Sequence, residues 1–253
     1  MPPVVTTGPR SAVDHANHQT DRTDDATPWR PDPESAYCGR CGAKAGPGAA
    51  TAEGCPFCRG QRVPWDRVVR LSDYTPPMSH WIKSMKFSYQ WSWAPFLGRC
   101  LAEALPDTPA DQRWVVCPVP MPWPRRWWRG FNQAQLIAQA MAEARDLTCA
   151  PLLRRTRYTT PQTTLTRTQR QANVRGSLAL RRVDLHGWRV WLVDDVKTSG
   201  ATLHACCRLL REAGAEEIGI AVAAVADPSG QDFKTVTPAK TSPKPRPLPT
   251  QSD

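Results

Sequence analysis

The sequence predicts an α/β protein built on a parallel sheet. Two stretches repeat the same order of apolar strand, polar turn and amphipathic helix, beginning at Trp114 and Arg189. In the first, Asn132 is the expected N-cap of a helix that runs to Arg145. A further apolar run from Glu216 to Ala226 is typical of another buried strand. Strands that alternate with helices form parallel sheets, which bind ligands at the carboxyl ends of their strands.

The stretch from Arg189 to Gly214 is the most informative in the chain. Val190 to Val193 predicts a strand buried on both faces, and Asp194 and Asp195 follow at its expected end. A loop of small and hydroxyl-bearing residues comes next, from Lys197 to Thr202. The pattern then predicts a helix that ends at the last glycine of the stretch. Its apolar stripe consists of Leu203, Cys206, Leu210 and Ala213.

This order of residues fits a phosphorylated ribose. A loop of small residues lets backbone N–H groups approach a phosphate, and the following helix adds its positive N-terminal end. Carboxylates just upstream suit the hydroxyls of a ribose. One alternative is a strand that ends in a polar turn. Another is a Walker B strand, but the chain has no G-x-x-x-x-G-K-[ST] motif to accompany it.

Two pairs of cysteines predict a structural zinc site. Cys38 and Cys41 form one C-x-x-C pair, Cys55 and Cys58 form the other, and thirteen residues separate them. Four thiolates at this spacing are typical of a zinc ribbon. Because the module has few large apolar residues, the metal would supply much of its folding energy. Redox-active pairs and unpaired thiols are the alternatives.

Length, charge and cysteine usage narrow the class of protein. A chain of 253 residues allows one α/β domain and a small module, and a net charge of +10 favours phosphates or nucleic acid as partners. We expect no membrane span and no export signal, because the apolar runs are short and the N-terminus lacks the signal pattern. The other cysteines lie in apolar stretches, so we expect a reduced, cytoplasmic protein. They are Cys100, Cys117, Cys149, Cys206 and Cys207.

Composition divides the chain into four segments. Residues 1–34 and 228–253 are polar and dotted with proline, and they bury too little apolar surface to offset the entropy lost on ordering. We therefore expect both to be disordered. Between them we expect a zinc ribbon over residues 35–64 and the α/β domain over residues 65–227.

Two helices are predicted ahead of the first repeat. Met78 to Tyr89 and Trp93 to Leu105 both carry apolar residues at helical spacing. Lys83 and Lys86 share the opposite face of the first helix, and we interpret them as a solvated face.

Arginine is concentrated in one block of the chain. Between Trp123 and Arg182 there are twelve arginines, no lysine and two acidic residues. Interleaved aromatic side chains could stack on the bases of single-stranded DNA, or they could pack against the sheet while the arginines neutralise a diphosphate. Within the block, Thr156 to Gly176 is polar and is interpreted as a lid. The aromatic residues are Trp123, Trp127, Trp128, Phe131 and Tyr158.

Several of these stretches together resemble the ComF family of phosphoribosyltransferase-like proteins with an N-terminal zinc ribbon. The most specific matches are Arg129-Gly-Phe-Asn-Gln133 and Val193-Asp-Asp-Val-Lys-Thr-Ser-Gly-Ala-Thr202. Further matches are the two C-x-x-C pairs, Met85-Lys86-Phe87, Val116-Cys-Pro-Val-Pro120, Gln162 through Leu165, Arg170 and Asn173-Val-Arg-Gly176. The resemblance extends from Tyr37 to Asp227 and departs at Ser199, where threonine is commoner.

The resemblance implies a type I phosphoribosyltransferase fold preceded by the four-cysteine zinc ribbon. Its ligand would be phosphoribosyl diphosphate (PRPP), with Mg²⁺ held mostly by the diphosphate, the ribose and waters. Asp194 and Asp195 would bind the ribose hydroxyls, and Arg129 and Arg170 would bind the pyrophosphate. The 5′-phosphate would be held by Lys197, Thr198, Ser199, Gly200, Ala201 and Thr202. The zinc ligands would be the four paired cysteines.

Three functions follow from the resemblance. The chain could be a PRPP-dependent transferase with an unknown acceptor. It could be a factor in the uptake of single-stranded DNA during natural transformation, as the best-known members of the family are. It could also be a PRPP-sensing or DNA-binding regulator without turnover. The expected partners are accordingly PRPP, single-stranded DNA and the DNA-uptake machinery.

Overall fold

The computed structural model describes residues 29–46, 48–51, 53–109, 111–122, 130–156 and 177–226. In chain order the elements are β1 (Arg67–Asp73), α1 (Met78–Phe87), α2 (Trp93–Ala104), β2 (Arg113–Pro118), α3 (Gln133–Ala144), β3 (Thr148–Cys149), β4 (Leu153–Arg155), β5 (Leu178–Leu180), β6 (Trp188–Lys197), α4 (Ala201–Glu212) and β7 (Glu217–Val225).

The central sheet has five parallel strands in the order β1, β7, β6, β2, β3. Both predicted repeats are present, as β2 with α3 and β6 with α4, so the predicted α/β class is confirmed. β4 and β5 form a separate antiparallel pair. Among the described residues, no helix is both long and apolar enough to cross a bilayer.

The strand β6 is longer than the sequence predicts, because it continues through both carboxylates to Lys197. On one side its pairing with β7 persists, with Asp194 opposite Val222. On the other side the β2 ladder ends with the bond from the Val119 N–H to the Val193 carbonyl. The next residue of the β2 side is a proline, which has no N–H to donate. The end of β6 therefore projects beyond β2 and borders an open cleft.

Helices cover both faces of the sheet. On one face α1, α2 and α3 pack through residues such as Ile82, Leu97 and Ile137. On the other face, α4 shares its core with the cysteine module, which we define as residues 35–64. Cys38 and Cys58 belong to the same buried cluster as Leu210. The metal-site residues thus form part of the main core.

Residues 29–34 belong to the segment predicted to be disordered, but the structure describes them in contact with the α/β domain. The rings of Trp29 and Trp81 meet edge to face, with centroids 5.0 Å apart. The Asp32 carboxylate pairs at 2.8 Å with the buried guanidinium of Arg70. An aromatic anchor and an ion pair to a buried arginine hold this segment. The rest of the segments predicted to be disordered lies outside the described residues.

Candidate functional site

The four paired cysteines converge into one buried cluster, with all four sulfur atoms within 4.8 Å of one another. The Sγ atoms of Cys38 and Cys58 are 3.7 Å apart, and those of Cys41 and Cys55 are 3.6 Å apart. A tetrahedral zinc ion with Zn–S bonds of about 2.3 Å places its sulfur atoms about 3.8 Å apart. The cluster therefore fits a single structural zinc ion. These sulfur–sulfur distances between the two C-x-x-C pairs are as short as the 3.9 Å between Cys55 and Cys58 within one pair, so the four thiols form one site.

Hydrogen bonds and one glycine fix the cluster. The guanidinium of Arg40, which lies between the first two cysteines, donates to the carbonyls of Glu53 and Cys58 at 2.8 Å. Gly54 has a φ of +104°, and a Cβ at this position would lie 2.5 Å from the Cys58 sulfur. Only glycine leaves room for the thiol there.

Trp65 connects the cysteine module to the start of α4. Its indole N–H donates to the carbonyl of Arg40 at 2.8 Å. Its ring meets the ring of His204, in the first turn of α4, with centroids 4.6 Å apart. A Cβ at Gly200 would lie 3.7 Å from the same ring. One side chain thus links the backbone between the first two cysteines to the first turn of α4.

The two carboxylates of the predicted ribose site lie next to each other at the end of β6. The backbone N–H of Asp195 donates to the Asp194 carboxylate at 2.9 Å. The side chain of Asp195 is paired at 2.9 Å with the ammonium of Lys86, at the end of α1. Lys83 is exposed, as predicted, but the interpretation of Lys86 as solvated is wrong. The last turn of α1 reaches the sheet edge, where the adjacent carboxylates attract a cation.

The pKa of Asp194 is raised from 3.8 to about 7. Burial is the main cause, and the negative charge of Asp195 adds to it. The Asp195 N–H, Lys86 and Arg155 act in the opposite direction. Asp194 therefore changes its charge near neutral pH.

The predicted phosphate loop joins β6 to α4 and borders a cavity of about 130 Å³. Gly200 occupies the N-cap of α4 with a φ of +67°, a conformation that glycine adopts without strain. No side chain caps the helix, and its first N–H groups have no partner within the helix itself. Lys197 differs from the prediction because it is the last residue of β6 and only 1% exposed. The other loop residues are Thr198, Ser199, Ala201 and Thr202.

A second cavity, called the cleft here, adjoins the loop cavity and has a volume of about 160 Å³. Asp194 and Thr202 border both cavities. The opposite wall is formed by the residues after β2 and the start of α3. Asn132 stands at the N-cap position of α3, but its amide donates to the Val119 carbonyl at 3.0 Å instead of capping the helix. This bond ties the start of α3 to the end of β2.

Arginines from β4 and the segment after β5 line a third cavity of about 180 Å³, and no acidic residue is among its described lining residues. We call it the arginine cavity after Arg154, Arg155 and Arg181, and it shares Arg155 with the cleft. The Arg155 guanidinium donates to the Pro120 carbonyl and to the Ser177 hydroxyl, both at 3.1 Å. Part of the predicted arginine block is thus placed beside the cleft that contains the two carboxylates.

Three exposed aromatic side chains, which the sequence patterns did not mark as a group, follow the cleft residue Lys86 in the chain. Phe87, Tyr89 and Trp91 follow one another at alternate positions, and each is more than half exposed. The Trp91 ring approaches that of Phe131, with centroids 5.7 Å apart. We call these four residues the aromatic patch. The alternation of aromatic residues after Lys86 is the sequence signal that could have revealed it.

Several predicted residues lie outside the described part of the chain. These are Arg129 and Arg170 for the pyrophosphate, the predicted stacking residues Trp123, Trp127, Trp128 and Tyr158, and residues 157–176 of the predicted lid.

Residues 129–243 match the phosphoribosyl transferase domain family. The fold and this match define a protein with a phosphoribosyltransferase domain.

Proteins of similar sequence show which family the chain belongs to. The chain is 34% identical over 191 residues to competence protein F of Haemophilus influenzae. The aligned region covers 73% of this chain and 82% of that protein. It is 33% identical to the DNA utilization protein YhgH of Salmonella typhi, over 72% of this chain and 81% of that protein. Competence protein ComFC of Bacillus subtilis is 32% identical over 41% of each chain. The chain therefore belongs to the ComF family, as its motifs predicted.

The cysteine cluster should hold about one zinc ion per chain. Because the ligands lie in the main core, Cys55→Ser with Cys58→Ser should release the metal and lower the melting temperature. Elemental analysis and thermal unfolding measure both effects. The matched control is Cys100→Ser with Cys149→Ser, two free thiols outside the cluster. Substoichiometric metal in the wild type, or full retention in the Cys55/Cys58 variant, would contradict the assignment.

The titration of Asp194 should make stability depend on pH. The folded-state pKa is raised, so this group stabilises the fold at low pH, and the contribution is lost as the pH rises from about 4 to about 7. Asp194→Asn should flatten the fall in melting temperature over that window and be more stable than wild type at about pH 8. Asp107→Asn, at an exposed site, should follow the wild-type profile. An Asp194→Asn variant that keeps the wild-type slope would show that the carboxylate is already ionised.

Proposed function

We propose that this ComF-family protein binds PRPP in the loop cavity and the cleft, and that it serves DNA uptake. One observation carries the PRPP proposal: Asp194 and Thr202 border both cavities. A ligand with a phosphate at one end of a ribose and a diphosphate at the other can therefore occupy both at once. The loop cavity offers backbone N–H groups and hydroxyls, and the cleft offers carboxylates with a lysine.

We propose that the 5′-phosphate of PRPP lies on the loop at the N-terminus of α4, because an uncapped helix end favours an anion. The ribose hydroxyls donate to Asp194 and Asp195. The diphosphate extends towards Lys86 and Arg155, the described cations that line the cleft. Mg²⁺ suits this arrangement because its preferred ligands are oxygens, and the diphosphate, the ribose and waters supply them.

Transfer from PRPP would break the bond between the ribose C1 and the diphosphate oxygen while an acceptor forms a new bond to C1. The diphosphate leaves with the electron pair of the broken bond. Such a reaction needs charge neutralisation, positioning and exclusion of water more than covalent help. Lys86 neutralises charge in the free site and can do so for the leaving diphosphate. A PRPP sensor without turnover would use the same contacts and lack only the acceptor.

A role in DNA uptake is supported by the names of the relatives, which include a competence protein and a DNA utilization protein. The structural support is the aromatic patch, whose Phe87 and Phe131 are chain neighbours of the cleft residues Lys86 and Asn132, and the arginine cavity, which shares Arg155 with the cleft. Exposed rings stack on bases, and arginines neutralise the phosphate backbone. We place this activity in the cytoplasm, since none of the described cysteines is in a disulfide.

Replacing both carboxylates should abolish most PRPP binding. Asp194→Asn with Asp195→Asn removes two charged hydrogen-bond acceptors, so PRPP affinity with Mg²⁺ should fall about 100-fold or more. Titration calorimetry measures the affinity, and circular dichroism checks the fold. The matched control is Asp107→Asn with Asp111→Asn, which removes two exposed carboxylates and should bind like wild type.

Equal affinity in the Asp194/Asp195 variant would place the ribose elsewhere. In wild type, release of pyrophosphate that depends on an added acceptor distinguishes a transferase from a sensor.

The aromatic patch should contribute to binding of single-stranded DNA. Phe87→Ala with Trp91→Ala removes two exposed rings, each worth about 1–3 kcal/mol when stacked on a base. Fluorescence anisotropy with a labelled oligonucleotide should show an affinity loss of at least about tenfold. Wild-type affinity should also fall steeply with salt.

Phe57→Ala is the control, because Phe57 is an exposed aromatic residue on the cysteine module. Unchanged DNA affinity in the double variant would exclude the patch and leave the arginine cavity as the candidate contact.

A further inference from the structure

The side chain of Gln133 is held at the cleft without a protein partner. Gln133 is the first residue of α3, is 1% exposed and lines the cleft together with Asp194 and Lys86. Within the described residues, neither its amide oxygen nor its amide nitrogen has a hydrogen-bond partner. Buried polar groups almost always have partners, and a missing one destabilises the fold.

The Gln133 amide stabilises no part of the described fold through a hydrogen bond. α3 begins without a side-chain cap, and the bond that fixes its start is made by the neighbouring Asn132 to the Val119 carbonyl. An apolar residue of the same size would fill the position without the unfavourable burial of an amide. The amide is therefore best explained by a ligand that is absent from the free protein.

The chemistry of the amide identifies the ligand group. Its oxygen needs a donor and its nitrogen needs an acceptor. A diphosphate that is fully ionised can satisfy only the nitrogen. A hydroxyl can both donate to the oxygen and accept from the nitrogen, and the adjacent carboxylates of Asp194 and Asp195 also require donors.

We infer that Gln133 is a ligand-contacting residue whose amide hydrogen-bonds a ribose hydroxyl of the sugar phosphate in the cleft. The inference rests on the proposed function. It adds a residue from α3, on the wall opposite β6, to the two carboxylates. The ribose would then be held from both sides, which orients its C1 as well as binding it. Removal of the amide should consequently weaken ligand binding without destabilising the free protein.

Gln133→Met tests this inference because it keeps the size of the side chain and removes the amide. Calorimetry should show PRPP affinity at least about tenfold weaker, while the melting temperature of the free protein stays the same or rises. Gln139→Met is the control, since Gln139 lies on the exposed face of α3, and it should change neither property. Unchanged PRPP affinity, or a lowered melting temperature, would overturn the inference and make Gln133 a structural residue.

A measurement on the wild type needs no variant. The side-chain amide resonance of Gln133, assigned by triple-resonance NMR, should shift on addition of PRPP or ribose 5-phosphate and not on addition of inorganic pyrophosphate alone. A shift with pyrophosphate, or none with the sugar phosphates, would overturn the assignment to a ribose hydroxyl. A wild-type protein that binds no PRPP would overturn the proposed function itself. Tight PRPP binding that Gln133→Met leaves unchanged would overturn only this inference.

Discussion

The pairing of β6 with β7 beyond the end of β2 is the constraint on which the candidate site depends. It holds Asp194 to Lys197 in extended conformation after the other neighbour has turned away at Pro120. One edge of β6 is fixed, and the other faces the cleft. The carboxylates of Asp194 and Asp195 therefore stand on a rigid backbone and still line the cleft. Residues on a strand are held more precisely than residues on a loop, which suits the sugar-binding role proposed for this site.

The free site holds several unfavourable features that a ligand would relieve. Two adjacent carboxylates repel each other, which contributes to the raised pKa of Asp194. The first N–H groups of α4 lack a side-chain cap, and the Gln133 amide lacks a partner among the described residues. Proteins concentrate such local conflicts at functional sites and offset them with packing elsewhere. Here the offset comes from cores on both faces of the sheet. These conflicts would be relieved by a cation, an anion and a hydroxyl, the groups that the proposed sugar phosphate and its metal would bring.

Local patterns in the sequence predict the elements better than the contacts between them. The alternation of strands and helices, the cysteine spacing and the small-residue loop are short-range signals, and all three are present as expected. The ion pair of Lys86 with Asp195 joins residues more than a hundred positions apart, so helical periodicity could only assign Lys86 to a polar face. The end of β6 was misplaced for a related reason. Polar residues suggest the end of a strand, but at Asp194 only the pairing with β2 has ended, and β6 stays paired with β7.

The anchoring of residues 29–34 also depends on a distant partner, because Asp32 is polar in isolation and gains its role from Arg70. The same reasoning applies to the cysteine module, which composition presents as a separate unit. Trp65 donates to the backbone between the first two cysteines and packs against His204 beside the phosphate loop. The cysteines themselves lie in the core that α4 shares. The Arg40 carbonyl, which lies between the first two cysteines, is therefore joined through Trp65 to the first turn of α4. A composition boundary in the sequence is therefore compatible with one continuous core in the folded protein.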